Sequence, residues 1–323
     1  MIIFVTSAHH KYALRPLRDL PKAPDIRIVS YNRLFKWSRF RRATYVFCDF
    51  DRLNFWELDL AAKTYRALRD ADCRVLNDPA RALHRFSLLK TLKQNGLNSF
   101  RVWDVATDPL PDVFPVFLRT KAGHRGTLTE LLNSEEEASA AVASALDGGI
   151  NIHDLMFVEY CAEPMEPGLF RKLSAFVVGD QIVTGMAVHD GTWHAKFGAE
   201  GIAGEELYKE EYEFVQTNAF SAQIAPVFRA ADIEFGRADF SLVNGKVETY
   251  EINTNPYISQ IEDHPFAIRV EADKLHYERL IAALRDIDHH GDTGHGPELR
   301  LDVPELIEQR SRDRGVFNVR WTP

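Results

Sequence analysis

Residues 236–256 read GRADFSLVNGKVETYEINTNP, and this stretch decides the fold expected for the second half of the chain. Two apolar runs flank Asn244-Gly245, a dipeptide typical of the tight turn of a β-hairpin. Glu251 and Asn253 are two residues apart on the second strand, so their side chains leave the same face, and Asp239 lies on the first strand. Two carboxylates and an amide offer only hard oxygen ligands, which suit Mg²⁺. The stretch therefore predicts a hairpin that carries a magnesium site.

The turn of this hairpin sets a geometric condition on the magnesium site. A two-residue loop pairs Val243 with Lys246. A regular ladder from that pair sets Asp239 against Tyr250 and places Glu251 on the opposite face of the sheet. We therefore expect a three-residue loop or a bulge near the turn, which shifts the register by one. Without the shift, Asp239, Glu251 and Asn253 are polar residues of an ordinary hairpin that face solvent and share no metal.

Length and composition indicate a folded protein of two or three domains. The chain has 323 residues, of which 45% are hydrophobic and 27% charged, so disorder is excluded as a general description. The formal net charge is −8, so the protein lacks the overall positive charge that attracts the phosphate backbone of nucleic acid. Cys48, Cys73 and Cys161 are scattered and form no C-x-x-C motif, which favours buried thiols in a reducing compartment.

Nothing in the sequence predicts a membrane segment. The first residues, MIIFVTSAHHKY, lack the basic region and long apolar run of a signal peptide and are typical of a first strand. No run of about 18 apolar residues occurs. We therefore expect a cytoplasmic protein with no membrane partner.

The N-terminal third alternates apolar runs with helical patterns, which predicts a parallel sheet covered by helices. The expected strands are Ile2–Thr6, Ile26–Ser30, Thr44–Cys48 and Arg74–Asn77, with a helix over Phe55–Leu68. Asp78-Pro79 is expected to open a further helix that Gly96 closes, and a domain boundary is placed near residue 78.

The remainder of the chain predicts an α+β arrangement. Strands are expected at 100–105, 115–119, 156–161, 173–178 and 182–189. Helices are expected after the capping box Ser134–Glu137, over Glu205–Ala231 with an interruption at Pro226, and over Val270–Ile287. Residues 289–323 have the composition of a linker and a polar tail. The fold class is thus α/β followed by α+β.

The hairpin motif resembles that of a known family. Arg237-Ala-Asp239 followed by Glu251-Ile-Asn253-Thr-Asn-Pro256 is similar to the metal-binding end of the ATP-grasp superfamily, which includes carboxylate–amine ligases. Weaker matches follow the family's chain order at residues 84–85, 114–119, 158–160 and 193–197. The resemblance implies an N-terminal α/β domain (1–78), a central lobe (79–158), a C-terminal lobe with the metal site (159–288) and a tail (289–323).

The resemblance also implies roles for individual residues. Val158, Glu159 and Tyr160 hold the adenosine of ATP, while Arg85 and Arg119 replace two family lysines that contact the phosphates. Lys196 reaches the terminal phosphate, and Arg237 faces the transferred phosphoryl group. The metal is Mg²⁺, with Mn²⁺ as an alternative, on the ligands Asp239, Glu251 and Asn253.

The implied function is an ATP-dependent carboxylate–amine or carboxylate–thiol ligase. It acts on small-molecule or peptide carboxylates and amines through an acyl phosphate and releases ADP and phosphate. Joining two anions requires positive charge and exclusion of water, so no protein nucleophile is expected. A phosphotransferase that makes no amide, or a module that binds ATP without turnover, stays open, and a homodimer is compatible with the sequence.

Three further segments are candidates for binding. His9-His10 follow the first strand, at the edge where parallel sheets bind ligands, and contact the acceptor substrate or solvent. Arg171-Lys172 open a strand and face either the nucleotide or water. Basic residues within 33–42 are interleaved with aromatic ones, which favours a solvated face over a surface for acidic peptides or nucleic acid.

Overall fold

The computed structural model describes residues 1–122, 126–195, 198–199, 201–288 and 298–313. These residues form two compact units. Of the described residues, those within 1–82, 254–259 and 281–313 form one unit, and those within 83–253 and 260–280 form the other. None of the described helices combines the length and the apolar character needed to cross a bilayer.

The regular elements are numbered in chain order. The strands are β1 (Ile2–Thr6), β2 (Ile26–Ser30), β3 (Phe40–Arg41), β4 (Thr44–Phe47), β5 (Val75–Leu76), β6 (Val102–Asp104), β7 (Val116–Thr120), β8 (Leu155–Glu159), β9 (Phe170–Val178), β10 (Gln181–Thr184), β11 (Val188–Asp190), β12 (Phe235–Val243), β13 (Lys246–Asn253) and β14 (Glu298–Leu299). The helices are α1 (Tyr31–Leu34), α2 (Phe55–Asp70), α3 (Arg85–Gln94), α4 (Glu135–Asp147), α5 (Glu205–Thr217), α6 (Ser221–Ala231), α7 (Ala267–Ile287) and α8 (Pro304–Asp313).

The first unit is built on the expected parallel sheet. Its strand order is β2-β1-β4-β5, and every neighbouring pair is parallel. All residues of β1 and β4 are buried, because helices cover a parallel sheet on both faces. Helix α2 begins at a full capping box, in which the Asn54 side chain accepts from the Glu57 N–H and the Glu57 carboxylate accepts from the Asn54 N–H. The α/β prediction for this part of the chain is confirmed.

Two further elements belong to the first unit, in a segment expected to be a polar tail. Strand β14 pairs antiparallel with β3, and Leu306 of α8 is fully buried in the same core as Tyr31 and Phe40. In the basic segment, the aromatic residues Phe35 and Phe40 are buried, while Arg39 is exposed and pairs with Glu298 at 2.8 Å. This arrangement agrees with the solvated-face interpretation of residues 33–42.

The second unit contains two antiparallel sheets. One has the order β6-β8-β7, and α4 packs on it through the buried Ala138. The other has the order β10-β9-β12-β13, with β11 also paired to β9. The predicted α+β class of this half is confirmed, and the hairpin expected from Asn244-Gly245 is formed by β12 and β13.

Two helix boundaries differ from the expectation. Helix α3 begins at Arg85, because the Asp78 carboxylate accepts the N–H of Ala80 in a local turn and does not cap a helix. The helical stretch expected to break at Pro226 breaks earlier, where Asn218 and Phe220 have φ of 53° and 63°. A left-handed Asn ends α5, and Pro226 lies inside α6.

A strand and a helix start also differ in detail. The single strand expected over Ile182–His189 is split into β10 and β11, and between them the N–H of Gly185 donates to the Ser174 carbonyl. At the start of α4 the Ser134 hydroxyl accepts from the Glu137 N–H, whereas the Glu137 carboxylate accepts from the Asn133 N–H. The capping box is therefore only half formed.

Candidate functional site

The register of the β12–β13 hairpin satisfies the geometric condition for a shared site. Val243 pairs with Lys246, so the turn has two residues and the expectation of a longer loop is wrong. The register shifts by one between Asp239 and Phe240, and Asp239 lies directly opposite Glu251. The expected shift is therefore present as a bulge, but its extra residue is Tyr250 of β13, in the middle of the hairpin and not at the turn.

This shift places the four motif residues on one face of the sheet. Arg237 lies opposite Asn253, and Asp239 lies opposite Glu251. Because residues two apart on a strand share a face, all four side chains leave the same side. A regular ladder from the turn would have turned Glu251 and Asn253 to the other side. The bulge is thus the local feature that assembles the candidate site.

The Asp239 carboxylate is buried and lies between two cations. Arg237 donates from Nε to Oδ1 at 2.8 Å and from Nη2 to Oδ2 at 3.4 Å. The Nζ of Lys172, on β9, lies 3.2 Å from Oδ2. Burial lowers the pKa of Arg237, but the charge of Asp239 and the hydrogen bond to it outweigh this and raise that pKa overall. Arg237 therefore stays charged at every physiological pH.

The Glu251 carboxylate also lies against two cations, which come from different elements. Arg85, at the start of α3, donates from Nη2 to Oε2 at 2.7 Å. Arg119, near the end of β7, has its Nη2 at 3.6 Å from the same oxygen. Arg85 also donates to the backbone carbonyls of Thr120 and Lys121. The sequence-predicted residues Arg85, Arg119 and Glu251 are therefore in one cluster.

The cluster carries an excess of positive charge. In the described part of the chain, four cations lie against the two carboxylates Asp239 and Glu251, namely Arg85, Arg119, Lys172 and Arg237. Burial, followed by the like charge of Arg85, lowers the pKa of Arg119 to about 10. The Nε of Arg119 is buried and has no hydrogen-bond partner in the described part of the chain. Such a surplus favours an anionic ligand with several oxygens, as a polyphosphate has.

The oxygen atoms in this cluster fit a hard cation when an anion is also bound. Asp239, Glu251 and Asn253 supply carboxylate and amide oxygens on one face, the donor chemistry that Mg²⁺ prefers. No group of three His, Cys, Asp or Glu side chains suited to a metal occurs in the described residues, so the set depends on the Asn253 amide. Phosphate oxygens bound by the surrounding arginines would free the two carboxylates from their ion pairs.

The segment expected to hold adenosine lies at the end of β8. Val158 is buried, and the Glu159 carboxylate accepts the N–H of Arg101 at 2.8 Å. The ring of Tyr160 is 5.7 Å from that of Trp193 at an interplanar angle of 90°, and Trp193 is 4.9 Å from Phe117. These three rings are inclined to one another and form an aromatic cluster beside the end of β8, the apolar environment in which a base can pack.

One expected contact falls outside the described part of the chain, that of Lys196 with the terminal phosphate. The three cysteines are free; Cys48 and Cys73 are buried as expected, and Cys161 is half-buried.

Lys172 is the residue whose contact the sequence did not single out. The sequence does not decide whether Arg171 and Lys172 face the nucleotide or solvent, and the structure separates the two residues. Arg171 pairs with Glu210 at 2.7 Å, whereas Lys172 pairs with Asp239. Because β9 alternates, Lys172 shares its face with Ser174, which lies opposite Asp239. The antiparallel pairing of β9 with β12, which the sequence does not specify, is the missing signal.

A second buried carboxyl group, that of Glu211, forms a hydrogen bond at the start of β11, the strand that pairs with β9 at Lys172. Glu211 of α5 is 2% exposed, and its Oε1 accepts the N–H of Ala187, immediately before β11. Burial raises the pKa of Glu211 to about 7, although Arg269 and the Ala187 hydrogen bond act in the opposite direction. Glu211 thus keeps its proton in the folded protein at pH values where the unfolded chain has lost it.

Replacing Glu211 with glutamine is expected to change the pH dependence of stability. A raised carboxyl pKa adds stability that is fully present below about pH 4.5 and lost as the pH rises to about 7, roughly 3 kcal/mol in all. The glutamine side chain would keep the Ala187 contact without titrating. The free energy of unfolding in urea, relative to wild type, should therefore rise by about 2–3 kcal/mol between pH 5 and pH 8.

The matched control for this prediction is Glu213→Gln, an exposed position on the same helix. Its free energy of unfolding should differ from that of wild type by the same amount at both pH values. Parallel pH profiles for the Glu211→Gln variant and wild type would show that Glu211 titrates normally.

Comparison with known proteins supports the fold. No protein-family model and no curated protein matches the chain. Among solved structures, D-alanine–D-alanine ligase from Bacillus anthracis has a TM-score of 0.50 and 12% identity and covers 97% of this chain and 99% of its own. The same enzyme complexed with ATP has a TM-score of 0.48 and 10% identity, covering 87% of this chain and 99% of its own.

L-amino acid ligase from Bacillus licheniformis is more distant. Its TM-score is 0.43 with 10% identity, covering 78% of this chain and 66% of its own. The match at a TM-score of 0.50 over nearly the whole of both chains confirms the fold that the hairpin motif predicted.

Proposed function

Since the chain has the ATP-grasp fold, we propose that it is an ATP-dependent ligase that joins a carboxylate to an amine or a thiol. The one observation that carries this proposal is the charged cluster on the β12–β13 hairpin. The bulge brings Asp239, Glu251 and Asn253 to one face, and four cations surround the two carboxylates in the described part of the chain. The cluster has the donors for a metal ion and the charges for a polyphosphate.

The proposed roles follow from position and chemistry. Asp239, Glu251 and Asn253 hold Mg²⁺, or Mn²⁺ in its place, and the ion neutralises charge on the phosphates when it is bound. Arg85, Arg119 and Lys172 bind the phosphate oxygens. Lys196 is proposed, from the sequence alone, to reach the terminal phosphate, and Val158, Glu159 and Tyr160 to hold the adenosine.

Arg237 is proposed to stabilise the transferred phosphoryl group. Its guanidinium is held by two hydrogen bonds to Asp239, so it is fixed before the reaction begins. A preorganised donor of this kind stabilises charge that develops in a transition state without a cost for reorganisation. The phosphoryl group passes from ATP to the substrate carboxylate. The amine or thiol then displaces phosphate, and ADP and free phosphate are released.

The test is a measurement of ADP and free phosphate across amino acids, dipeptides and short peptides, with Mg²⁺ and ATP. We expect equal amounts of ADP and phosphate, formed only when a carboxylate and an amine or thiol are both present. ADP with a phosphorylated product and no free phosphate would identify a phosphotransferase instead. Binding of a non-hydrolysable ATP analogue without ADP release from any mixture would contradict catalysis.

A further inference from the structure

A polar cluster lies at the carboxyl edge of the parallel sheet in the first unit. Strand β1 has β2 on one side and β4 on the other, so the order of strands reverses between β1 and β4. Ligands of open α/β sheets bind outside the carboxyl ends of the strands at such a reversal. Ser7 directly follows β1, and Asp49 lies two residues beyond the end of β4.

A chain of hydrogen bonds in this cluster fixes the orientation of a histidine. Asp49 is 2% exposed and accepts the hydroxyl hydrogen of Ser7 on Oδ2. Since that hydroxyl has one hydrogen, the 2.7 Å contact between Ser7 Oγ and His10 Nδ1 must be donated by His10. In neutral His10 the proton is therefore on Nδ1, and Nε2 is a hydrogen-bond acceptor. The His10 side chain is 28% exposed, and no described residue donates a hydrogen bond to its Nε2.

The same carboxylate also orients an arginine. Arg52 donates from Nε to Asp49 Oδ1 at 2.9 Å, and its side chain is 29% exposed. In the described part of the chain the terminal nitrogens of Arg52 contact no hydrogen-bond acceptor. They present the planar pair of donors that binds a carboxylate through two parallel hydrogen bonds. Asp49 therefore positions an acceptor (His10) and a double donor (Arg52).

An aromatic ring lies beside that of His10, and Asn255 of the hairpin motif forms a hydrogen bond with the His10 backbone. The ring of Tyr12 is 6.1 Å from that of His10 and 6.2 Å from that of Tyr257. Tyr12 and Tyr257 are 54% and 58% exposed, which is unusual for such large apolar surfaces. Asn255 donates from Nδ2 to the His10 carbonyl at 3.2 Å. Asn255 Oδ1 also accepts from the Thr6 hydroxyl at 3.0 Å, so the end of the hairpin motif contacts this cluster.

We propose that this cluster binds a free α-amino acid with an aromatic or large apolar side chain. The α-ammonium group donates to His10 Nε2, the α-carboxylate accepts from Arg52, and the side chain packs on Tyr12 and Tyr257. An α-amino acid carries a donor and a carboxylate on one carbon, which matches two partners positioned by one buried carboxylate. Binding of the amino acid is proposed independently of the ligase function. Its role as one of the two ligated substrates rests on that proposed function.

The test is calorimetric titration of the full chain with L-phenylalanine, without ATP. Phenethylamine lacks the carboxylate and 3-phenylpropanoate lacks the amine, and each should bind at least about tenfold more weakly than phenylalanine. Alanine, which cannot reach the two tyrosines with a ring, should also bind more weakly. D-phenylalanine is titrated in parallel to establish which enantiomer is preferred.

The variants His10→Ala and Arg52→Ala should each weaken binding of phenylalanine by at least about tenfold. Ser7→Ala should weaken it through loss of the fixed orientation of His10, with an unchanged circular dichroism spectrum. Matched controls are His9→Ala and Arg18→Ala, which alter exposed side chains of the same unit and should bind as wild type does.

Failure of this site is distinguishable from failure of the proposed function. No binding of any of these amino acids at millimolar concentration, or wild-type affinity in the His10→Ala and Arg52→Ala variants, would overturn the site. ADP release in the substrate panel would then still support the ligase. Phenylalanine binding that depends on His10 and Arg52 supports the site, even if no mixture releases ADP.

Discussion

Replacing Glu251 with glutamine is expected to lower the rate of ADP release by about 10²–10³-fold, the scale for loss of one preorganised charge interaction. Glu251 is proposed as a metal ligand, and a neutral amide binds Mg²⁺ more weakly than a carboxylate. The substitution also leaves Arg85 and Arg119 without their common counter-charge. The rate is measured at saturating ATP with the substrates found in the panel.

A second measurement on the Glu251→Gln variant does not depend on those substrates. Binding of a non-hydrolysable ATP analogue should depend less on Mg²⁺ than it does in wild type, when compared in Mg²⁺ and in chelator. Glu248→Gln is the matched control on the same strand, because its amide oxygen still accepts the N–H of Ser99. A Glu251→Gln variant with near-wild-type turnover would remove Glu251 from the metal site.

Local sequence signals predicted the individual elements well. The strands β1 and β2 match the expected ranges residue for residue, because each is a short run rich in the β-branched residues Ile and Val. The Asn244-Gly245 dipeptide predicted the hairpin, with φ of 50° and 74° at the two positions. The spacing of Asp239, Glu251 and Asn253 also predicted that the register must shift, since no regular two-residue hairpin puts them on one face.

Features that depend on pairing between distant segments were not predictable in this way. Strand β12 pairs with β13 on one side and with β9 on the other, and the bulge must fit both pairings. The pairing of β12 with β9 also brings Lys172 to Asp239. Asn255 is part of the motif, yet its side chain bonds the Thr6 hydroxyl and the His10 carbonyl, which are 249 and 245 residues away in the chain. The break between α5 and α6 depends on the left-handed backbone conformation of Asn218. Asparagine tolerates this conformation but does not require it, so the sequence alone does not locate the break.

Replacing Arg237 with lysine is expected to lower kcat by about 10²-fold while changing the KM for ATP much less. The guanidinium contacts both oxygens of Asp239 through Nε and Nη2, so its remaining donors are held in a fixed direction. Lysine keeps the positive charge but has no planar fork, and its flexible ammonium is not held in that direction. The loss therefore falls on an interaction made in the transition state.

The lysine substitution is chosen because it keeps the fold. Asp239 is 3% exposed, and a neutral residue at 237 would leave its buried charge with Lys172 as the only cation among the contacts described above. Steady-state rates over a range of ATP concentrations separate kcat from KM, and the melting temperature of each variant serves as the control for folding. If Arg237→Lys raises the KM for ATP and leaves kcat unchanged, Arg237 binds the nucleotide equally in the ground state and the transition state, and its proposed role in phosphoryl transfer is wrong.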